Sequence, residues 1–331
     1  MMETNRTRPM TPLLTDEEVA DLRRANYNSS VTQVRRVHDE LMVFRARPDG
    51  GVPPYQAGQF TLVGLGYWEP RVPDTQAEFL TDDEVRKIAN RAYSISFPIV
   101  NDAGAHAAKH VLHRAECDFL EFYVALVRES AGTPPALTPR LFGLNPGDRL
   151  FVGTKISGHY TLSGVADGQD VIFLATGTGE APHNAMIAEL LTRGRSGRII
   201  SAVCVRQRVD LAYHTVHLAL EQQFPNYRYL PLTTREPINL DRNHAGYVGK
   251  QYIQDLLTTG RLEAELGHAF RRNGTHFFLC GSPAMIGVPH ADEEGRRIYP
   301  RPTGVVELFV QRGFHANLHG HSGNIHFEKY W

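Results

Sequence analysis

The chain has 331 residues, with 35 lysines and arginines against 36 aspartates and glutamates, a net charge of −1 and 42% hydrophobic residues. This composition excludes a largely disordered chain, and near neutrality with 16 histidines gives no general pull toward nucleic acid or an acidic membrane. At about 150 residues per domain the length predicts two domains, while three dispersed cysteines without C-x-x-C spacing predict a reduced, cytoplasmic protein.

Residues 1–30 read as an appendage. Residues 1–12 contain no apolar segment of the signal-peptide kind, and Thr15-Asp-Glu-Glu18 is a cap-and-acid signature ahead of Val19 and Leu22, which predicts a short helix. No apolar run of 18 residues or more occurs anywhere, so no membrane span is predicted.

Residues 31–166 show short β-type runs separated by turn residues, at 31–37, 41–46, 59–63, 92–97, 119–127 and 148–152. This pattern predicts an all-β unit, an antiparallel β-barrel or a sandwich. Polar stretches at 69–90 and 101–118 interrupt it as insertions, the first with a helical run over 81–88 behind Thr81.

From residue 167 to 331 the pattern changes. Val171-Ile-Phe-Leu-Ala175 is a continuous apolar run, as in a strand buried on both faces. Further strands are predicted at 199–205, 227–232 and 276–280, alternating with helices near 182–193, 214–224, 250–259 and 261–272. The reading is a parallel, doubly wound α/β domain with a C-terminal aromatic tail, so the fold class is two-domain β plus α/β.

Two short motifs carry chemistry. Thr176, Gly177, Thr178 and Gly179 follow the 171–175 strand and precede a helix; such a turn either cradles a phosphate at the helix N-terminus or serves chain geometry alone. In Arg91-Ala92-Tyr93-Ser94 the arginine offers a forked donor for a pyrophosphate, the tyrosine a ring for a flat heterocycle and the serine a hydroxyl for a ring nitrogen. The same tetrapeptide also fits an ordinary strand with alternating side chains. His315, His319, His321 and His326 lie near the C-terminus with no cysteine or carboxylate pattern beside them, and they are read as solvated non-ligands; no metal is predicted.

Together these motifs resemble the bacterial form of the ferredoxin/flavodoxin–NADP reductase family, which pairs an R-x-Y-S flavin strand with a G-T-G-x-x-P turn. Four more elements agree in the expected order: Leu144-Asn-Pro-Gly-Asp148, Val205-Arg-Gln-Arg-Val-Asp-Leu-Ala-Tyr213, Cys280-Gly-Ser-Pro-Ala-Met285 and Phe327-Glu-Lys-Tyr-Trp331. The resemblance covers about residues 28–331. It implies an FAD-dependent oxidoreductase, a ferredoxin–NADP reductase, that exchanges electrons between NADP(H), by hydride at flavin N5, and a one-electron carrier, ferredoxin or flavodoxin.

By the same resemblance Arg91, Ala92, Tyr93 and Ser94 bind FAD, Phe122, Tyr123 and Val124 flank the isoalloxazine and ribityl chain, and Ala136, Leu137 and Thr138 meet the pyrophosphate. Thr178 also touches the flavin, and the Thr176–Gly179 turn receives the NADP pyrophosphate. Arg206 and Arg235 match arginines that hold NADP. Lys250 stands where relatives usually carry another arginine, and a lysine cannot supply the same fork. Asp210 matches an acid found in NADP users and so does not argue for NAD. Ser94, Cys280 and Glu328 are the expected catalytic neighbourhood, and Tyr330 and Trp331 the expected aromatic lid.

The chain departs from the pattern at 69–90 and 101–118 and again at 287–302, where Pro289, Pro300 and Pro302 replace a regular helix. Three scattered cysteines exclude a built-in four-thiolate iron–sulfur cluster. Two rival readings are a non-catalytic flavin- or nucleotide-binding module and a reductase component for another redox partner.

Overall fold

The structure, a computed structural model, describes residues 14–101, 110–317 and 323–330. It divides into two compact units. The first takes Met1–Pro54, Phe60–Tyr93 and Asp118–Ser157; the second takes Tyr55–Gln59, Ser94–Cys117 and Gly158–Trp331.

In the first unit, helix α1 (Asp16–Asn26) begins at a reciprocal cap: the Glu18 amide donates to Thr15 Oγ1 and the Thr15 amide to the Glu18 carboxylate. The elements β1 (Ser29–His38), β2 (Leu41–Pro48), β3 (Phe60–Gly66), α2 (Asp82–Val85), β4 (Ile88–Ser94), β5 (Leu120–Ala125), α3 (Thr138–Leu141) and β6 (Arg149–Val152) follow. The expected helix over 81–88 is one turn, and the strand expected at 92–97 lies earlier, over β4.

The six strands form one sheet in the order β4-β3-β6-β1-β2-β5, antiparallel at the β1–β2, β1–β6, β2–β5 and β3–β6 pairs. Register slips in β1 between Val31 and Gln33 and between Arg36 and His38 coil the long β1–β2 ribbon. The outermost strands are brought together by side chains: Tyr93 on β4 meets Phe122 on β5 edge-on, ring centroids 6.5 Å apart. The sheet is therefore barrel-like without being a closed barrel, since no β4–β5 ladder joins its outer strands among the described residues.

The second unit contains β7 (Asp170–Thr176), α4 (Glu180–Thr192), β8 (Ile199–Val205), α5 (His214–Gln223), β9 (Tyr227–Thr233), α6 (Pro237–Leu240), α7 (Ile253–Thr258), α8 (Arg261–Leu266), β10 (Thr275–Gly281), α9 (Pro283–Ile286), β11 (His290–Ala291), β12 (Arg297–Ile298), α10 (Val305–Gln311) and β13 (Ile325–Lys329). Five strands form a parallel sheet in the order β13-β10-β7-β8-β9. Every residue of β8 and β10 is buried, which explains their unbroken apolar runs.

Alternating side chains feed two cores. Phe173 and Phe278 pack with Tyr160 and Met186 on one face, Ile172, Leu174 and Phe277 with Phe309 and Leu257 on the other. Helix α8 stops at Gly267, whose φ of 86° ends it six residues after it starts, so the helix expected to reach 272 is short. The departure at 287–302 holds the two-residue strands β11 and β12, paired His290 to Ile298. No helix among the described residues is long and apolar enough to cross a membrane.

Candidate active site

The first unit gathers the residues expected to face a flavin. Strand β4 leaves Arg91 and Ala92 exposed and half-buries Tyr93, and burial raises the Tyr93 hydroxyl above the ordinary phenol range, so it stays protonated. Phe122, Tyr123 and Val124 are buried on β5, with Phe122 also 5.3 Å from Phe44. Their neighbour Glu121 is buried and pairs with Arg45 at 2.8 Å across the β2–β5 register. Ala136 and Leu137 lead into α3, which Thr138 opens; the Thr138 hydroxyl accepts the Val127 amide at 3.1 Å.

The second unit builds the Thr176–Gly179 turn at the carboxyl end of β7. Gly177, at φ 53°, adopts the left-handed conformation, and a Cβ there meets nothing within 4 Å. Gly179 is required by close packing, since its Cβ would stand 2.3 Å from the Cys280 carbonyl oxygen. The turn is tied to β10 by the Ser282 amide, which donates to Thr176 Oγ1 at 2.7 Å. No side chain caps the N-terminus of α4, so open space beside Gly177 and uncapped helix amides fit an incoming phosphate.

Parallel register then aligns the reactive candidates. Cys280 is paired with Ala175 on β7 and with Glu328 on β13. The Ser94 hydroxyl donates to Glu328 Oε1 at 3.4 Å, while Glu328 Oε2 is buried without a hydrogen-bond partner. Burial lifts the Glu328 carboxyl to about 7 against the opposing Ser94 hydrogen bond. Cys280 is fully buried, and burial together with the nearby Glu328 charge raises its thiol well above the ordinary range; a neutral thiol of this kind packs and is no nucleophile. The half-buried Tyr330 makes side-chain hydrogen bonds with Ser94 and Cys280 and packs against the core, so it is less exposed than its terminal position suggests. Trp331, His319 and His321 lie outside the described residues; His326, expected to be solvated, is instead buried and stacked on Phe278 with ring centroids 4.4 Å apart.

The three cation candidates come to one edge of the sheet. Arg206 follows β8, Arg235 follows β9, and the Arg235 amide donates to the Arg206 carbonyl at 2.8 Å. Lys250 precedes Gln251, whose amide returns to the Thr233 carbonyl at 3.3 Å. All three side chains are exposed.

Sequence reading missed a buried polar network beneath α4. Glu180 Oε1 lies 2.8 Å from His217 Nε2, and His217 Nδ1 lies 2.6 Å from the Tyr227 hydroxyl. His183 Nε2 lies 2.7 Å from the Tyr160 hydroxyl, and burial lowers that imidazole to about 3. These residues are scattered over 67 positions of sequence, roughly, with no spacing that marks them. Arg208, whose Nη2 lies 2.8 Å from His214 Nε2, was likewise not singled out. Among the described residues no group of three or more His, Cys, Asp or Glu is arranged to hold a metal.

The chain thus contains a six-stranded antiparallel unit and a parallel α/β unit with a glycine turn at its strand ends. Residues 173–290 match the oxidoreductase NAD-binding domain family. The flavodoxin/ferredoxin–NADP reductase of Buchnera aphidicola from Schizaphis graminum is 27% identical over 92% of this chain and 98% of its own length. The ferredoxin–NADP reductase of Pseudomonas aeruginosa is 27% identical over 87% of this chain and 97% of its own. In fold, the chain is similar to the ferredoxin NADP+ reductase of Neisseria gonorrhoeae, solved with bound FAD and NADP, at a TM-score of 0.63 and 19% identity over 91% of this chain and 97% of that one. Over most of its length the chain is similar to ferredoxin/flavodoxin–NADP reductases.

Proposed function

We propose that this chain is an FAD-dependent reductase that exchanges electrons between NADP(H) and a one-electron carrier, ferredoxin or flavodoxin, in the cytoplasm. The observation that carries the reading is the register of the parallel sheet, which brings the Thr176–Gly179 turn, Cys280 and Glu328 to one carboxyl edge. Relatives matched over nearly their whole length, and named for this activity, support it.

The bound isoalloxazine supplies two-electron uptake and one-electron release. The chain's residues bind and orient. In the barrel domain, 31–166, Arg91 would offer a fork to the FAD pyrophosphate, Tyr93 would lie against the flavin with Ala92 and Ser94 next to it, and Phe122, Tyr123 and Val124 would flank the isoalloxazine and ribityl chain. Ala136, Leu137 and Thr138 bring backbone to the pyrophosphate. In the nucleotide domain, 167–331, the uncapped start of α4 and the Thr176–Gly179 turn receive the NADP pyrophosphate. Arg206, Arg235 and Lys250 give the 2′-phosphate clustered positive charge.

Glu328 holds its proton to about pH 7 and accepts a hydrogen bond from Ser94, so the pair can present either a donor or an acceptor to a carboxamide. Cys280 supplies a neutral, polarisable surface between the turn and Glu328. Tyr330 covers Ser94 and Cys280 and has to swing away when the nicotinamide ring arrives; Trp331 belongs to the same aromatic tail.

The test is an anaerobic titration of purified holoprotein with NADPH and, separately, NADH, followed by flavin absorbance. NADPH is expected to bleach the flavin at about one equivalent, because one hydride carries both electrons, and ferredoxin or flavodoxin to restore the colour. A colourless protein that takes up no FAD overturns the reading, and bleaching by NADH alone overturns the choice of nucleotide.

A further inference from the structure

The first insertion does not stand apart from the barrel-like sheet. Arg71 Nη1 lies 3.1 Å from Glu78 Oε2, and Arg140 pairs with the other oxygen of the same carboxylate, in an ion triad whose side chains are largely buried. Arg140 also donates to the Ala136 carbonyl at 2.6 Å and to the Tyr67 carbonyl at 2.8 Å. Arg71 Nη2 donates to the Gln76 carbonyl at 2.8 Å, folding the insertion on itself, and to the Pro135 carbonyl at 3.3 Å.

Backbone seams run on either side of the triad. The Val72 amide donates to the Pro139 carbonyl at 3.0 Å, the Gln76 amide to the Arg128 carbonyl at 2.8 Å, and the Ser130 amide to Gln76 Oε1 at 3.0 Å. Residues 71–78 thus lie as a strap along residues 128–140. That stretch contains few regular elements of its own, only the one-turn α3, so an irregular segment that must present backbone to a ligand takes its order from outside.

We propose that Arg71 and Glu78 are positioning residues for the flavin dinucleotide: through Arg140 and the Pro135 and Ala136 carbonyls they hold the segment 135–138 in the conformation that receives the FAD pyrophosphate. The inference rests on the flavin reading above and gives the 69–90 insertion a task, retention of FAD. Neutralising Glu78 leaves two buried guanidinium groups facing each other without their shared counter-ion, so the segment they hold is released while the Tyr93–Phe122 wall is untouched.

The experiment prepares apoprotein from the full chain and from the variants Glu78→Gln and Arg71→Met. FAD and riboflavin are titrated into each, and amide hydrogen exchange is followed over residues 127–140. Riboflavin carries the ring and ribityl chain without the pyrophosphate, so it reports the wall alone. Glu78→Gln is expected to weaken FAD about tenfold and Arg71→Met about threefold, with riboflavin affinity held within about twofold and exchange over 127–140 accelerated. Unchanged FAD affinity, or equal loss for FAD and riboflavin, overturns the inference. Should Glu78→Gln fail to fold, Arg71→Met decides, because it keeps the Glu78–Arg140 pair. Failure of wild-type apoprotein to bind FAD sinks the flavin reading and the inference with it; FAD uptake by wild type with indifferent variants sinks the inference alone.

Discussion

Cys280 stands in parallel register between Ala175 on one neighbouring strand and Glu328 on the other, so a fully buried thiol separates the glycine turn from the one carboxylate of the site whose titration is pushed to about 7. The thiol and the carboxylate each respond to burial by keeping a proton, which leaves this pair of groups neutral at low pH and singly negative above neutrality.

Glu328 links that edge to stability. The unfolded chain releases this proton near 4.5 and the folded chain near 7, so folding takes up a proton between those values. Stability is fullest below about pH 4.5 and falls as pH rises through about 7, by up to about 3 kcal/mol. Glu328→Gln is expected to be more stable than wild type at pH 8, with the difference shrinking toward pH 5, in urea unfolding at both pH values. If the gain is the same at both, the carboxyl does not titrate near 7.

The two glycines of the turn separate packing from ligand access. Gly179→Ala forces a Cβ against the Cys280 carbonyl and is expected to cost about 2–3 kcal/mol in unfolding free energy. Gly177→Ala meets open space and pays only for its left-handed backbone, about 1 kcal/mol. Its larger effect is expected in NADP affinity, measured by difference spectroscopy, because the added methyl enters the space offered to the phosphate.

Arg206 and Arg235, tied by the 2.8 Å hydrogen bond between their backbones, are exposed cations with little structural work. Alanine at either is expected to raise the KM for NADPH about 10–100-fold with kcat nearly unchanged and NADH turnover unaffected. Steady-state kinetics at two ionic strengths checks this; an equal loss with NADH would show a role other than reading the 2′-phosphate.

The Glu180–His217–Tyr227 network is expected to hold the start of α4. Glu180→Leu leaves the buried Nε2 of His217 without its partner and is expected to cost about 2–3 kcal/mol. Adding His217→Leu removes the orphaned Nε2 but also takes the partner of the buried Tyr227 hydroxyl, so recovery is expected only once Tyr227→Phe is added as well. A double-mutant cycle in urea reads the coupling directly.

The cysteines differ in reach. Cys280 and Cys204 are buried, with thiols raised well above the ordinary range and to about 12 respectively, while Cys117 is only partly covered. Native alkylation with iodoacetamide at pH 8, read by peptide mass, is expected to label Cys117 first and to spare the other two until the chain is unfolded.

Composition, the change from short alternating runs to continuous apolar ones, and the glycine turn after Val171–Ala175 were enough to give the succession of a β unit and a parallel α/β unit, because each depends on local periodicity and on backbone freedom at single positions. The cap at Thr15 and the strand burial of β8 and β10 were legible for the same reason. Only tertiary structure decided that Tyr93 and Phe122 meet between the outer strands of the first unit's sheet, that α8 ends at Gly267, and that Tyr330 turns inward to Ser94 and Cys280. The ion triad of Arg71, Glu78 and Arg140 and the network of Glu180, His217 and Tyr227 were also invisible in sequence. They join residues far apart in the chain whose pairing is set by burial, where an unpartnered charge is expensive, and no spacing along a sequence records which partner burial will supply.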